Sequence, residues 1–118
     1  FISWPANKGF IMNNCLFCKI INQEIPTKIV YEDELLVVFP DIKPKAEIHL
    51  LVVPKQHIIN LIDIDDVNQH ILLHMMRALP NIAKEHNLFG FRTIFNSGKE
   101  GGQEVFHIHA HLLGGKFF

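Results

Sequence analysis

Cysteine is scarce in this chain: Cys15 and Cys18 are the only two among 118 residues. Two cysteines cannot build a disulfide framework. Long apolar runs are missing as well, and no stretch approaches the length of a membrane span. Charge of one sign is lacking: the formal net charge is −1. Without a basic stripe, a nucleic-acid backbone is excluded as the main partner. A mononucleotide-sized ligand needs only a few donors and stays open. The opening FISWPANKGFI has neither the basic n-region nor the apolar h-region of a signal peptide. It also lacks a helical or strand period. Residues 1–11 therefore read as a leader outside the fold, and residues 12–118 as a single domain. Together these features fit a reducing, cytoplasmic setting and no membrane partner.

What is present is an ordinary globular alternation of short apolar runs and turn signals. FCKIINQE has the makings of one or two helical turns, ended by Ile25-Pro26. KIVYEDE reads as a short strand entering an acidic turn. Leu35 to Phe39 is a β-prone run stopped by Pro40. His49 begins another strand that ends at Pro54 and, being continuously apolar, belongs at the centre of a sheet. IINLIDIDD is ambiguous and permits a short helical turn, after which Asp65 or Asp66 can cap a helix. Val67, Ile71, Met75, Ala78 and Ile82 recur at helical spacing. Pro80 lies within that helix and predicts a kink, since it crowds the carbonyl of Met76. The helix is expected to close near Gly90. FRTIFNSG and VFHIHAHLL supply two more strands. The prediction is an α+β domain with a five-stranded, mostly antiparallel sheet, one long kinked helix and a short N-terminal helix.

HIHAHLLGG holds three of the eight histidines. On a strand, alternate side chains share a face, so His107, His109 and His111 would line one side roughly 7 Å apart. Ile108, Ala110 and Leu112 would face the long helix. A histidine-rich surface strand is the bland alternative. A zinc site made from all three would need a curved strand to converge on one ion. Nucleophilic catalysis at phosphorus is the preferred reading, because a neutral imidazole nitrogen is available near pH 7. Its other nitrogen must hold a proton against an acceptor, and a neighbouring histidine can bind a phosphate oxygen or protonate the leaving group. That scheme needs no catalytic metal. The glycines of SGKEGGQE allow backbone amides to approach an anion, or form a plain hairpin turn. Cys15-x-x-Cys18 is half of a tetrahedral zinc site, a redox pair, or two buried small hydrophobes. His70, His74 and His86 read as a solvated face and a helix end, and Asp63, Asp65 and Asp66 as caps.

The motif H-I-H-A-H-L-L matches the His-x-His-x-His-apolar-apolar signature of the histidine triad (HIT) superfamily. CLFCKIINQEIPTKIVYEDE, the FPDI loop, HLLVVPKQHI and GGQEVFHIHAHLLGG resemble its Hint branch in order and spacing, from Asn14 to Gly115. The resemblance implies a homodimer whose sheets join. It implies hydrolysis of the P–N bond in purine nucleoside 5′-phosphoramidates, with aminoacyl adenylates also among the substrates, through a nucleotidyl-histidine. His109 would be the nucleophile, His111 the phosphate contact, and His107 and His49 would order the array. Asp41 would hold the ribose hydroxyls, with Phe39 and Ile42 beside the base. Asn96, Gly102 and Gln103 fall at the phosphate. Some bacterial members bind structural zinc at positions matching Cys15, Cys18, His57 and His107, and zinc removal is then expected to loosen the fold more than it affects the chemical step. Glu104 stands where many eukaryotic members of the family have serine, and is expected to point away from the phosphate. The rivals are a dinucleoside polyphosphate hydrolase of the same superfamily, a non-catalytic nucleotide-binding module and a zinc metallohydrolase; the last is disfavoured because a closed site leaves no position for water.

Overall fold

The computed structural model describes residues 14–118; the proposed leader at residues 1–11, and the first two residues of the predicted domain, lie outside them. The sheet carries five strands in the order β1-β2-β3-β5-β4, all paired antiparallel: β1 (Tyr31–Glu32), β2 (Leu36–Pro40), β3 (Ala46–Pro54), β4 (Arg92–Ile94) and β5 (Ala110–Phe117). A short helix α1 (Leu16–Ile21) precedes the sheet, and a long helix α2 (Gln69–Glu85) connects β3 to β4. The expected α+β architecture holds.

β3 is the central strand, buried from His49 to Pro54, as its unbroken apolar run predicts. One face of the sheet packs Leu36, Val38, Leu50, Val52, Ala110 and Leu112 against Ile71, Met75, Leu79 and Ile82 of α2. Ile108 joins them. The opposite face packs Val37, Phe39, Leu51 and Val53 against Cys15, Phe17 and Cys18. The histidines lie on this second side, beside α1, so burial of the first face anchors what the second displays.

Several boundaries differ from the sequence reading, each for a physical reason. The long helix begins after Val67, which is 82% exposed. Asp65 and Asn68 form a reciprocal turn first: Asp65 Oδ1 accepts from the amides of Val67 and Asn68, and Asn68 Oδ1 accepts from the Asp65 amide. Helix α2 runs through Pro80 to Glu85. It closes at Asn87 (φ 61°), not at Gly90. The Leu88 amide reaches back to the Ala83 carbonyl and the Asn87 amide to that of Lys84, a left-handed cap that asparagine tolerates. The ambiguous segment forms a short 3-10 turn, Leu61–Asp63, with Asn60 as its cap.

The largest shift is in β5. It starts at Ala110 rather than Val105, and runs past the paired glycines to Phe117. Continuing the β3–β5 register would set Pro54 beside Ile108. Proline has no amide to give, so the ladder ends there. The chain departs instead toward the segment after β3, where the Ile108 amide donates to the Ile58 carbonyl at 2.6 Å. His107 and His109 therefore precede the strand, and only His111 lies within it.

Candidate functional site

Two side-chain clusters meet at this departure point. The first joins Cys15, the N-cap of α1, and Cys18, one turn later, with His57 after β3 and His107 before β5. His107 Nδ1 lies 3.4 Å from Cys15 Sγ, 3.6 Å from Cys18 Sγ and 3.1 Å from His57 Nδ1; His57 Nδ1 lies 3.4 Å from Cys18 Sγ. Ligand atoms on a tetrahedral zinc ion sit about 3.3–3.8 Å apart. The set therefore fits one metal ion with little movement. The Cys15 thiol is drawn down to about 2, first by its contact with Cys18, against the opposing effect of burial, and further by His107 and His57. His107 Nε2 donates to the Pro54 carbonyl at 2.8 Å, which leaves Nδ1 bare and aimed at the cluster. The carbonyl comes from the same proline that ends the ladder.

The second cluster is a row of imidazoles, and backbone groups set its tautomers. His109 Nδ1 donates to the His107 carbonyl at 2.7 Å, so its Nε2 carries the free lone pair. His49 Nδ1 accepts from the Lys45 amide at 3.0 Å, so its Nε2 carries the proton. That proton faces His111 Nδ1 at 2.9 Å and Asp41 Oδ2 at 3.4 Å. His111, an acceptor at Nδ1, then presents Nε2–H. The His109 and His111 rings lie 4.9 Å apart, and Phe17 of α1 meets the His109 ring edge-on at 5.0 Å. Burial lowers the proton affinity of all three. His49 falls despite Asp41, and His109 falls despite its bond to the His107 carbonyl. His111 drops to about 4 through burial and then the neighbouring His109 and His49. Neutral imidazoles at neutral pH are the consequence.

Asp41, His49 and His111 also lie close enough together to suggest a metal. Their hydrogen bonding argues otherwise. To ligate through Nε2, His49 would have to carry its proton on Nδ1, against the Lys45 amide. Both clusters contain histidines, and they differ in the other side chains, cysteine against aspartate, and in which nitrogen the backbone leaves bare.

The remaining sequence-predicted residues divide. Asp41 is held by the Lys43 amide to its Oδ1 at 2.9 Å, and Ile42 beside it is 91% exposed. Phe39 is buried, edge-on to Phe17 at 5.5 Å. Asn96 is half-buried, just beyond β4, and Gly102 is exposed with φ 88°. The Gln103 side chain turns inward, 4% exposed, with both amide ends bonded within the protein. Glu104 is exposed. His74 is not merely solvated: its Nε2 lies 2.8 Å from Asp33 Oδ2, which also accepts from the Tyr31 hydroxyl. Phe17, the Lys45 amide and the Pro54 carbonyl were missed as site components; the prolines and the alternating histidines were the only available signals.

Comparison with known proteins points in one direction. Residues 14–117 match the family model described as scavenger mRNA decapping enzyme C-term binding. Protein HitA of Neisseria gonorrhoeae is 50% identical over 104 residues, covering 87% of this chain and 97% of that protein. The purine nucleoside phosphoramidase of Escherichia coli K12 is 42% identical over 103 residues, covering 86% and 87%. The solved structure of a histidine triad protein from Clostridium difficile is similar at a TM-score of 0.85 and 48% identity, covering 91% of this chain and 95% of its own. A HIT family hydrolase from Clostridium thermocellum reaches a TM-score of 0.85 at 44% identity, covering 88% and 92%.

Proposed function

Since this chain belongs to the histidine triad (HIT) family and is a hydrolase of that family, we propose that it cleaves the P–N bond of purine nucleoside 5′-phosphoramidates, and the corresponding P–O bond to the acyl group in aminoacyl adenylates, with His109 as nucleophile. The observation that carries this reading is the His109 tautomer: Nδ1–H is held by the His107 carbonyl and Nε2 is bare beside His111. Nε2 attacks phosphorus as the P–N bond breaks, and the leaving amine takes up a proton from solvent, which the attacking water of the second step returns. Water then cleaves the nucleotidyl-histidine to release the nucleotide and restore His109. His111 Nε2–H binds a phosphate oxygen, and His49 keeps that proton on the outward nitrogen. Asp41 holds the ribose hydroxyls, with Phe39 and Ile42 beside the base. Asn96 and Gly102 lie along the phosphate side, while Gln103 serves from behind the loop.

The Cys15, Cys18, His57 and His107 set holds zinc as a structural ion, supported by its spacing and by the bond that leaves His107 Nδ1 bare. Zinc there fixes the segment that carries His109 and leaves the reaction to the imidazoles. Thiolate ligands suit a reducing cytoplasm. Homodimerisation is supported by β4, an edge strand of the sheet on which Ile94 is exposed, as is Phe91 just before it. Intact-protein mass spectrometry after rapid quench with adenosine phosphoramidate tests the mechanism. A nucleotidyl adduct is expected on wild-type protein and none on His109→Ala; unchanged turnover by His109→Ala sinks it. Faster cleavage of diadenosine tetraphosphate than of the phosphoramidate would shift the assignment to the dinucleoside polyphosphate branch.

A further inference from the structure

We propose that Asn60 is a positioning residue for the glycine loop at residues 98–102, acting through the buried amide of Gln103. The proposal rests on the phosphate-facing role given to that loop above. Asn60 and Gln103 are 6% and 4% exposed. Asn60 Nδ2 donates to Gln103 Oε1 at 3.0 Å, while Asn60 Oδ1 caps the adjoining 3-10 turn by accepting from the Ile62 amide at 2.9 Å. Gln103 Oε1 accepts a second bond from the Gly98 amide at 2.9 Å. Its Nε2 donates to the Ile59 carbonyl at 2.7 Å and the Val105 carbonyl at 3.1 Å.

The Gln103 amide can adopt only one orientation, because its oxygen meets two donors and its nitrogen two carbonyls. The Gln103 backbone amide also donates to the Gly98 carbonyl at 3.1 Å. Gly98 is therefore gripped at both its N–H and its C=O by one residue. Its φ of 81° and the φ of 88° at Gly102 are open to many conformations in a glycine, so hydrogen bonds select one: the grip of Gln103 adds to the loop's own bonds from the Gly101 amide to the Gly98 carbonyl and from the Gly102 amide to the Lys99 carbonyl. Asn60 in turn selects the Gln103 orientation, since its Nδ2 is one of the two donors on that oxygen. A buried polar network of this kind fixes geometry when every member is satisfied and loosens when one is removed.

Asn60→Ser keeps an acceptor for the Ile62 amide but is too short to reach Gln103. Asn60→Asp keeps the cap and the size but has no donor. The two variants share only the loss of the donated bond. With a released loop, substrate and transition state lose phosphate contact alike, so KM should rise about tenfold while kcat stays within about twofold. Calorimetry with AMP should show a matching loss of affinity, and the Gly98 amide should exchange with solvent faster in both variants. Equal AMP affinity and KM in wild type and variants would overturn the proposal, as would a fall in kcat alone. If wild-type protein binds no AMP, the functional reading fails, yet Gly98 exchange still decides the clasp: an unchanged rate in the variants refutes it. Should Asn60→Asp not fold, the serine variant carries each measurement.

Discussion

Stripping metal from the Cys15–Cys18–His57–His107 cluster should damage stability and turnover together; the bond from His109 to the His107 carbonyl revises the expectation, implied by the family resemblance, that losing the metal loosens the fold more than it slows the chemistry. Free metal at about 100 to 1,000 times its dissociation constant stabilises the fold by about 2.7–4.1 kcal/mol. For a domain of this size each kcal/mol corresponds to roughly 4 °C, so the chelated protein should melt about 10–16 °C lower. The effect on turnover follows from one bond. His109 Nδ1–H rests on the carbonyl of His107, itself a member of the cluster, at 2.7 Å. If His107 moves, the nucleophile moves, and a displacement of about 1 Å at a reacting group costs on the order of 100-fold. The assay pairs a thermal melt with kcat on phosphoramidate at a temperature where the metal-free protein is still folded. Elemental analysis verifies removal. A melting temperature within about 2 °C of the loaded protein would refute a structural metal. A lower melting temperature with kcat retained would refute the link from the metal to His109 while leaving the metal in place.

Asp41→Asn should raise KM for a ribonucleotide substrate by about tenfold or more, because a hydrogen bond to a charged group contributes roughly 1.5–3 kcal/mol; an unchanged KM in steady-state kinetics would remove Asp41 from the ribose. The pH response follows from His109 and His111, whose folded values lie below the ordinary 6.5, that of His111 at about 4. The unfolded chain binds more protons in that window, so their contribution to stability is present above pH 6.5 and is lost as pH falls toward 4. Turnover, by contrast, should persist below pH 6.5 because the imidazoles stay neutral in the folded protein, and a pH–rate profile with its acidic limb at or above 6.5 would contradict the burial effect. Leu112→Ala removes a fully buried side chain between the sheet and α2 and should cost about 2–5 kcal/mol in denaturant melts; a loss under 1 kcal/mol would mean the face is not packed as described.

Periodicity made the layers of the fold legible. The unbroken apolar run of β3 and the helical spacing of Ile71, Met75, Ala78 and Ile82 depend on local pattern alone. Boundaries set by distant partners were not legible. The start of β5 depends on Pro54, more than fifty residues away, and the start of α2 on the mutual bonds of Asp65 and Asn68. At the site, the residue types and spacings were readable, and the cluster of Cys15, Cys18, His57 and His107 assembles from three separate segments as the resemblance implied. Which nitrogen of each imidazole is free was beyond reach, because the deciding partners are main-chain groups of His107, Lys45 and Pro54. The inward turn of Gln103 was hidden for the same reason: nothing near it in sequence names Asn60 as its partner.

The early end of the β3–β5 ladder has a consequence for how such a site tolerates change. Had the ladder continued, the carbonyls of Pro54 and His107 would be candidates for sheet bonding. Left outside it, they act as fixed sockets, one for a metal-facing ring and one for an attacking ring. A socket made of main chain has no side chain to mutate. The surrounding surface, including Ile42 and Glu104, can therefore vary and adjust which substrates fit, while the assignment of protons at the reacting centre stays in the keeping of the backbone path.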